Sequence, residues 1–341
     1  AVVIGRNERW RYYFQVPPNH EAGLFWYHAH LHPNVNNHVG RGGAGMLYVA
    51  GAYQDRLAQL GIRHRLLSLQ QAYFAPDLRT LIFDDTNRLD GSLALSLING
   101  QLMPTIRMRP NELQVWSLVN ASASAFYLLE IEGHAFDLIA NDGIPLAAPV
   151  PGLTQLLIPS GKRLEVIVRA VERGGSYRVR YLQYDQGVDV WPGRDVATLE
   201  VAGPRWDGDS PGVDDTRPPR TPSLLADTVR KHRRISLDET PDGMAAIDGR
   251  LFDGTLSWEE DPPQRGTVEE WEFVNTTSQD HPMHVHTNPW QLVRVEGAPI
   301  RPEQAGFQDV VVVPRFGKAV VRTRFDDFTG DLILMHCHIL D

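Results

Sequence analysis

Glu112-Leu113-Gln114-Val115-Trp116-Ser117-Leu118-Val119-Asn120 is a short run of β-branched and aromatic residues that ends on an asparagine. A run of this length and composition, bounded by turn-forming residues, reads as a strand. The same grammar recurs at residues 11–16, 66–69, 163–170, 177–182, 268–274, 310–313 and 319–325, with Gly, Pro, Asn and Asp between the runs and no long segment of helical period. The chain is therefore predicted to be all-β and built of sandwiches. A second version of the opening stretch, Val268-Glu269-Glu270-Trp271-Glu272-Phe273-Val274-Asn275, follows Ile247-Asp248-Gly249-Arg250 much as the first follows Ile98-Asn99-Gly100-Gln101. The echo reads either as a duplicated sandwich or as the strand-turn-strand grammar that any two sandwiches share.

With 341 residues, and about 100–200 residues per domain, the chain has room for two or three domains. Residues 207–228 are dense in Pro, Asp, Gly and Arg, which suits an extended linker. A weaker boundary falls at 50–63, where one strand pattern closes and another opens. The predicted division is residues 1–55, the later part of a first sandwich; 56–205, a whole second one without metal ligands; 206–230, a linker; and 231–341, a third sandwich cut short at its end. Residues 1–4 already read as part of a strand, and the chain stops directly after the apolar run 332–340, so it is expected to be an excerpt of a longer protein.

Charge narrows the class further. Lys and Arg number 33 against 42 Asp and Glu, a formal net charge of −9, with no basic block to neutralise phosphates, so nucleic acid is not an expected partner. No apolar run approaches the roughly 18 residues of a membrane helix, so no membrane span is expected. A single cysteine, Cys337, forbids an intrachain disulfide, whereas thirteen histidines are many for a metal-free core.

Seven of these histidines lie in three short segments: Trp26-Tyr27-His28-Ala29-His30, His281-Pro282-Met283-His284-Val285-His286 and His336-Cys337-His338. In a strand, residues two apart share a face, so each His-x-His is a two-armed ligand. Three such arms exceed the four ligands of a tetrahedral site and imply more than one metal ion. Within residues 332–340 the even positions, including His336 and His338, share one face, and Cys337 lies on the other with Ile333, Met335 and Ile339. One strand can thus hold a soft mononuclear metal on one side and a cluster on the other, joined by a few covalent bonds that conduct electrons. In the second segment His281 has the parity opposite to His284 and His286 and can join Cys337. Thiolate with imidazole points to copper, since zinc needs no electron path and iron–sulfur clusters need several cysteines.

These three segments resemble the second, third and fourth copper motifs of the multicopper oxidases, the family of laccases, bilirubin oxidases and cuprous oxidases, in the family's order. The resemblance implies tandem cupredoxin-like Greek-key β-sandwiches. It also implies His281 and Cys337 at a type 1 copper, His284 at a type 2 copper, and His28, His30, His286, His336 and His338 at a type 3 pair. Cys337, His336 and His338 then form the electron-transfer path. The family's first motif would fall ahead of Ala1 and its second type 1 histidine after Asp341, so the full copper set needs residues outside this chain. The long separation of His30 from His281 fits three-domain members rather than two-domain laccases or copper nitrite reductases.

The implied function is one-electron oxidation of phenolic or similar small donors coupled to four-electron reduction of dioxygen to water. Dioxygen and a small reducing substrate are then the partners, and the location is periplasmic or extracellular by resemblance. Six methionines without a Met-rich run do not signal a cuprous-ion route. A cuprous or other metal-ion oxidase, a copper-storage protein and a non-enzymatic cupredoxin scaffold are the alternatives. His32 and His38 read as polar residues at the rim of the second motif, with 33–37 a solvated loop. His20, His64, His134 and His232 read as ordinary surface or core residues, and Gly161-Lys162-Arg163 as a turn before a strand rather than a phosphate loop. Trp271 and Trp290 read as core aromatics, with Trp290 placed to border the type 1 pocket.

Overall fold

In the computed structural model, which describes residues 4–5, 7–18, 20–32, 34–77, 79, 81, 93–208, 222–252, 261–326 and 333–340, the opening stretch is the strand Leu113–Asn120 and every residue of it is buried. It runs parallel to Arg63–Phe74 and antiparallel to Arg163–Arg169. Covered on both faces, the strand is mostly apolar, and its buried polar side chains Gln114, Ser117 and Asn120 are hydrogen-bonded. Trp116 and Leu118 point into a large core, while Leu113 and Val115 meet Tyr53 and Leu57 from the helix Ala52–Gln59. The stretch 50–63 that reads as a boundary thus holds a helix capping the back of the sheet.

The six-stranded sheet carrying Leu113–Asn120 packs against a five-stranded one, ordered Leu156–Ile158, Tyr127–Ile131, Gly175–Leu182, Arg194–Val201 and Thr105–Met108. Phe126, Leu129, Phe136, Val166 and Leu199 fill the space between them. A second sandwich sets a six-stranded sheet centred on Val268–Asn275 and Lys318–Arg324 against a three-stranded one, ordered Val310–Val313, His281–Val285 and Met335–Cys337. Trp271, Phe273, Met283, Val311 and Val321 form its core. Gly23–His28 pairs with Ala44–Val49 in a two-stranded ribbon against Val119 and Ala121.

The internal echo extends to side chains. Asn99 and Asp248 both take positive φ ahead of a positive-φ glycine, the signature of a tight hairpin turn, and both accept from a backbone N–H of the neighbouring strand, Ser68 and Ser236 respectively. Trp116 donates to Gln114, which also binds Arg65; Trp271 donates to Glu269, which also binds Arg233. Asn120 and Asn275, each at a strand end, tie down the following loop through both ends of the amide.

Two expectations are corrected. Residues 11–16 form no strand: Tyr12, Tyr13 and Phe14 are exposed, and among the described residues no strand pairs with them, so β-propensity has no ladder to join. The solvated loop expected at 33–37 instead leads into the helix Val35–Gly40, because Val35 and Val39, one turn apart, are both buried. As read for a core aromatic, Trp290 is 2% exposed and packs edge-on against Trp271 at 4.7 Å. Residues 1–3, Leu332 and residues 209–221 of the expected linker lie outside the described residues.

Candidate metal centre

Two antiparallel strands build the centre, with Met283 opposite Cys337 and His284 opposite His336. Met283 and Val285 are buried in the core and Met335 packs against it, which turns His284, His286 and His336 outward. Cys337, of opposite parity, faces His281, and the separation of Cys337 Sγ from His281 Nδ1 is 3.2 Å. The ribbon strand Gly23–His28 brings its histidines up to the outward face. His28 lies 5.5 Å from His338 between ring centroids, and His30 lies 5.1 Å from His336 and 5.2 Å from His286. Nε2 of His336 is 3.4 Å from Nε2 of both His30 and His286, so these three nitrogens converge on one point. His284 sits beside the trio, 4.9 Å from His286 and 5.3 Å from His336. All eight residues expected to ligate metal therefore gather on two sides of one short strand.

The protonation pattern fits a cation. Nδ1 of His28, His284 and His336 donates to the carbonyls of Ala29, Asp309 and Cys337 at 3.0, 2.8 and 2.8 Å. A carbonyl only accepts, so each Nδ1 carries the proton and each Nε2 keeps a lone pair. His281 is arranged the other way round. Thr277 Oγ1 gives its one proton to Asn275 at 2.8 Å and accepts from His281 Nε2 at 2.8 Å, which leaves the lone pair of Nδ1 facing the sulfur. The N–H of Ile339 also points at that sulfur. Burial keeps the rings neutral: His28 and His281 are lowered to about 4 and His284 to about 3 by loss of hydration, with neighbouring histidines adding to the effect for His28 and His284. His336 and His338 lie well below the ordinary range for the same reason. Converging neutral lone pairs with a thiol on the far side suit a soft, imidazole-binding metal such as copper.

Around this lies a support that the sequence motifs do not contain. Asp142, 1% exposed, accepts from Lys162 Nζ at 2.9 Å and from the N–H groups of Arg163, Asp309 and Val310. Arg163 in turn forks onto Asp309 with two bonds of 2.6 Å. The same Asp309 orients His284, so a buried charge network on the turns of one sandwich sets a histidine on the other. Trp26 stacks on His28 at 4.5 Å. Of the remaining histidines, His32 lies 5.3 Å from His30 and against Phe252 at the rim, and His64 is bonded to Ser117 away from the centre. Asp142, Asp309, Ser160 and Thr277 are ordinary residue types at spacings that carry no signal; only the echo of Asn120 and Asn275 marked the loop to which Thr277 belongs.

Comparison with known proteins agrees with this architecture. Two family models, each described as multicopper oxidase, match residues 63–203 and 231–341. A multicopper oxidase of Staphylococcus haemolyticus is 22% identical over 330 residues, which cover 95% of this chain and 66% of that protein. Cell division protein FtsP of Sodalis glossinidius is 28% identical over 326 residues, covering 87% of this chain and 63% of its own length. The chain thus spans about two thirds of the length of these relatives. Among solved structures, McoA multicopper oxidase from Aquifex aeolicus superposes with a TM-score of 0.80 at 21% identity, over 94% of this chain and 73% of the other, and shares the cupredoxin-like fold. Sequence models, fold and the placement of the histidines converge, and the chain belongs to the multicopper oxidase family.

Proposed function

We propose that the protein is a laccase-like oxidase that takes single electrons from phenolic or similar small donors and reduces dioxygen to water. His281 and Cys337 are assigned to a type 1 copper, His284 to a type 2 copper, and His28, His30, His286, His336 and His338 to a type 3 pair. The observation that supports this most is the back-to-back strand Met335–Cys337, with sulfur toward His281 on one side and an imidazole toward His30 and His286 on the other. Bound copper would supply the one-electron redox chemistry and the affinity for dioxygen. The protein's own residues fix where electrons travel. From Cys337 the path to either histidine is a few covalent bonds, and the hydrogen bond from His336 Nδ1 to the Cys337 carbonyl shortens it further. Burial excludes water from the imidazoles and keeps their lone pairs free of protons.

A periplasmic or extracellular location goes with this assignment. A relative named for cell division rather than for oxidation goes with a second reading, a non-enzymatic scaffold, but eight gathered donor residues are unneeded in a scaffold. Steady-state oxygen uptake by the copper-loaded protein at its natural length, with a phenolic donor and with cuprous ion at one pH, tests the assignment. Faster turnover of the phenol is expected. Cuprous ion as the clearly better donor means a metal-ion oxidase, copper bound without uptake means storage, and absence of copper binding means a scaffold; each overturns the proposal.

A further inference from the structure

The turn that joins strand Leu156–Ile158 to Arg163–Arg169 reaches His338, and no metal-ligand spacing marks it. Ser160 is fully buried and His338 is 1% exposed. Ser160 Oγ gives its proton to the Ser122 carbonyl at 2.6 Å, and His338 Nδ1 lies 3.2 Å from the same oxygen. A hydroxyl has one proton to donate, so here it accepts, and the proton of His338 must sit on Nδ1. Gly161 follows with φ +80°, and a Cβ built on it would fall 2.6 Å from His338 Cδ2 and 2.9 Å from Nε2. The ring therefore lies directly against bare backbone. Its own segment is anchored on both sides, by the His338 N–H to the Pro282 carbonyl at 2.7 Å and the Leu340 N–H to the Ala123 carbonyl at 3.0 Å.

We infer that Ser160 and Gly161 are positioning residues for His338: the serine hydroxyl fixes the tautomer that leaves Nε2 free, and the absent side chain of Gly161 fixes the plane of the ring. This gives the middle sandwich, which supplies no metal ligand of its own, a direct hold on the centre. The inference rests on the assignment of His338 as a copper ligand. Outer partners of this kind change metal affinity by roughly 10–100-fold when removed.

The test loads the protein at its natural length with copper(II) and measures copper bound per chain and the visible and near-ultraviolet spectrum. It compares wild type with Ser160→Ala, Gly161→Ala, Gly152→Ala and His338→Ala. Gly152 has φ +74° with nothing within 4 Å of its built Cβ, so Gly152→Ala carries the same backbone strain without a ring in the way. Ser160→Ala and Gly161→Ala are expected to weaken copper binding roughly 10–100-fold and to change the spectrum in the direction of His338→Ala, with Gly152→Ala like wild type. Wild-type binding in both turn variants, or equal losses in Gly161→Ala and Gly152→Ala, overturns the inference while the ligand assignment stands. Wild-type binding in His338→Ala removes the ligand assignment instead. Histidine 15N NMR of the metal-free protein reads the tautomer without copper: His338 is expected as the Nδ1–H form, with that form no longer exclusive in Ser160→Ala, and an Nε2–H form in wild type contradicts the inference.

Discussion

Cys337 is half-buried, and its Sγ lies 3.2 Å from His281 Nδ1 with the N–H of Ile339 directed at it. Cys337→Ser replaces a soft thiolate with a hard, protonated hydroxyl of similar size. The copper-loaded variant is expected to lose its blue absorption and to unfold within a few degrees of wild type; retained colour contradicts the type 1 assignment. The imidazoles make a second expectation at this scale. Unfolded histidines take up protons as the pH falls through about 6.5, whereas folded His28 and His281 stay neutral to about 4 and His284 to about 3. Below 6.5 the unfolded state therefore binds more protons than the folded one, and stability rises with pH across the window between these values. The urea midpoint of the copper-free protein should fall steadily from pH 7 to pH 5 and be flat just above pH 7. Equal midpoints at pH 7 and pH 5 would show that the rings are solvated after all.

At the scale of elements, the turns of the middle sandwich do more than connect strands. Asp142 holds Lys162, the Arg163 backbone and the backbone of Asp309 and Val310 at once. Asp142→Ala leaves the 2%-exposed Lys162 without its carboxylate and the 3%-exposed Arg163 with Asp309 alone. Removing one partner of a buried ion pair typically costs about 3–5 kcal/mol. Lys162→Met should cost less, because Arg163 still lies 3.5 Å from Asp142. Equilibrium unfolding of the two variants checks the order, and equal losses would show that Asp142 acts through Lys162 alone. The strands themselves were legible in the sequence: 113–119 is mostly apolar because both of its faces are covered, whereas 268–274 sets Trp271 and Phe273 into the core between the half-buried Glu270 and Glu272. Parity also placed His281 and Cys337 together and apart from His284, His286 and His336. What escaped were the supporting contacts that no motif marks and that are distant in sequence: Ser160 meets His338 across 178 positions and Arg163 meets Asp309 across 146. The echo of the two sandwiches shows the same divide. Thr277 beside His281 corresponds to Ser122, whose hydroxyl meets Tyr127 at 2.6 Å, so the two sandwiches share a loop frame and differ in what its hydroxyl meets.

At the scale of the molecule, two sandwiches and a ribbon meet around the histidines, and no single one of them holds the whole set. The ribbon brings His28 and His30, the later sandwich His281, His284, His286, His336, Cys337 and His338, and the middle one the turns that steady His284 and His338. Such a division makes metal binding and docking of the parts one event, since a ligand set spread over separate units is complete only when they are assembled. We propose that this assembled set carries copper and that an oxidase activity depends on it. Oxygen uptake with a phenolic donor is measured on the protein at its natural length after copper is stripped and again after it is restored. The expected result is uptake that disappears with the metal and returns with copper, without accumulation of peroxide. Uptake that persists in the stripped protein, or that copper fails to restore in a protein shown to be folded, would contradict it.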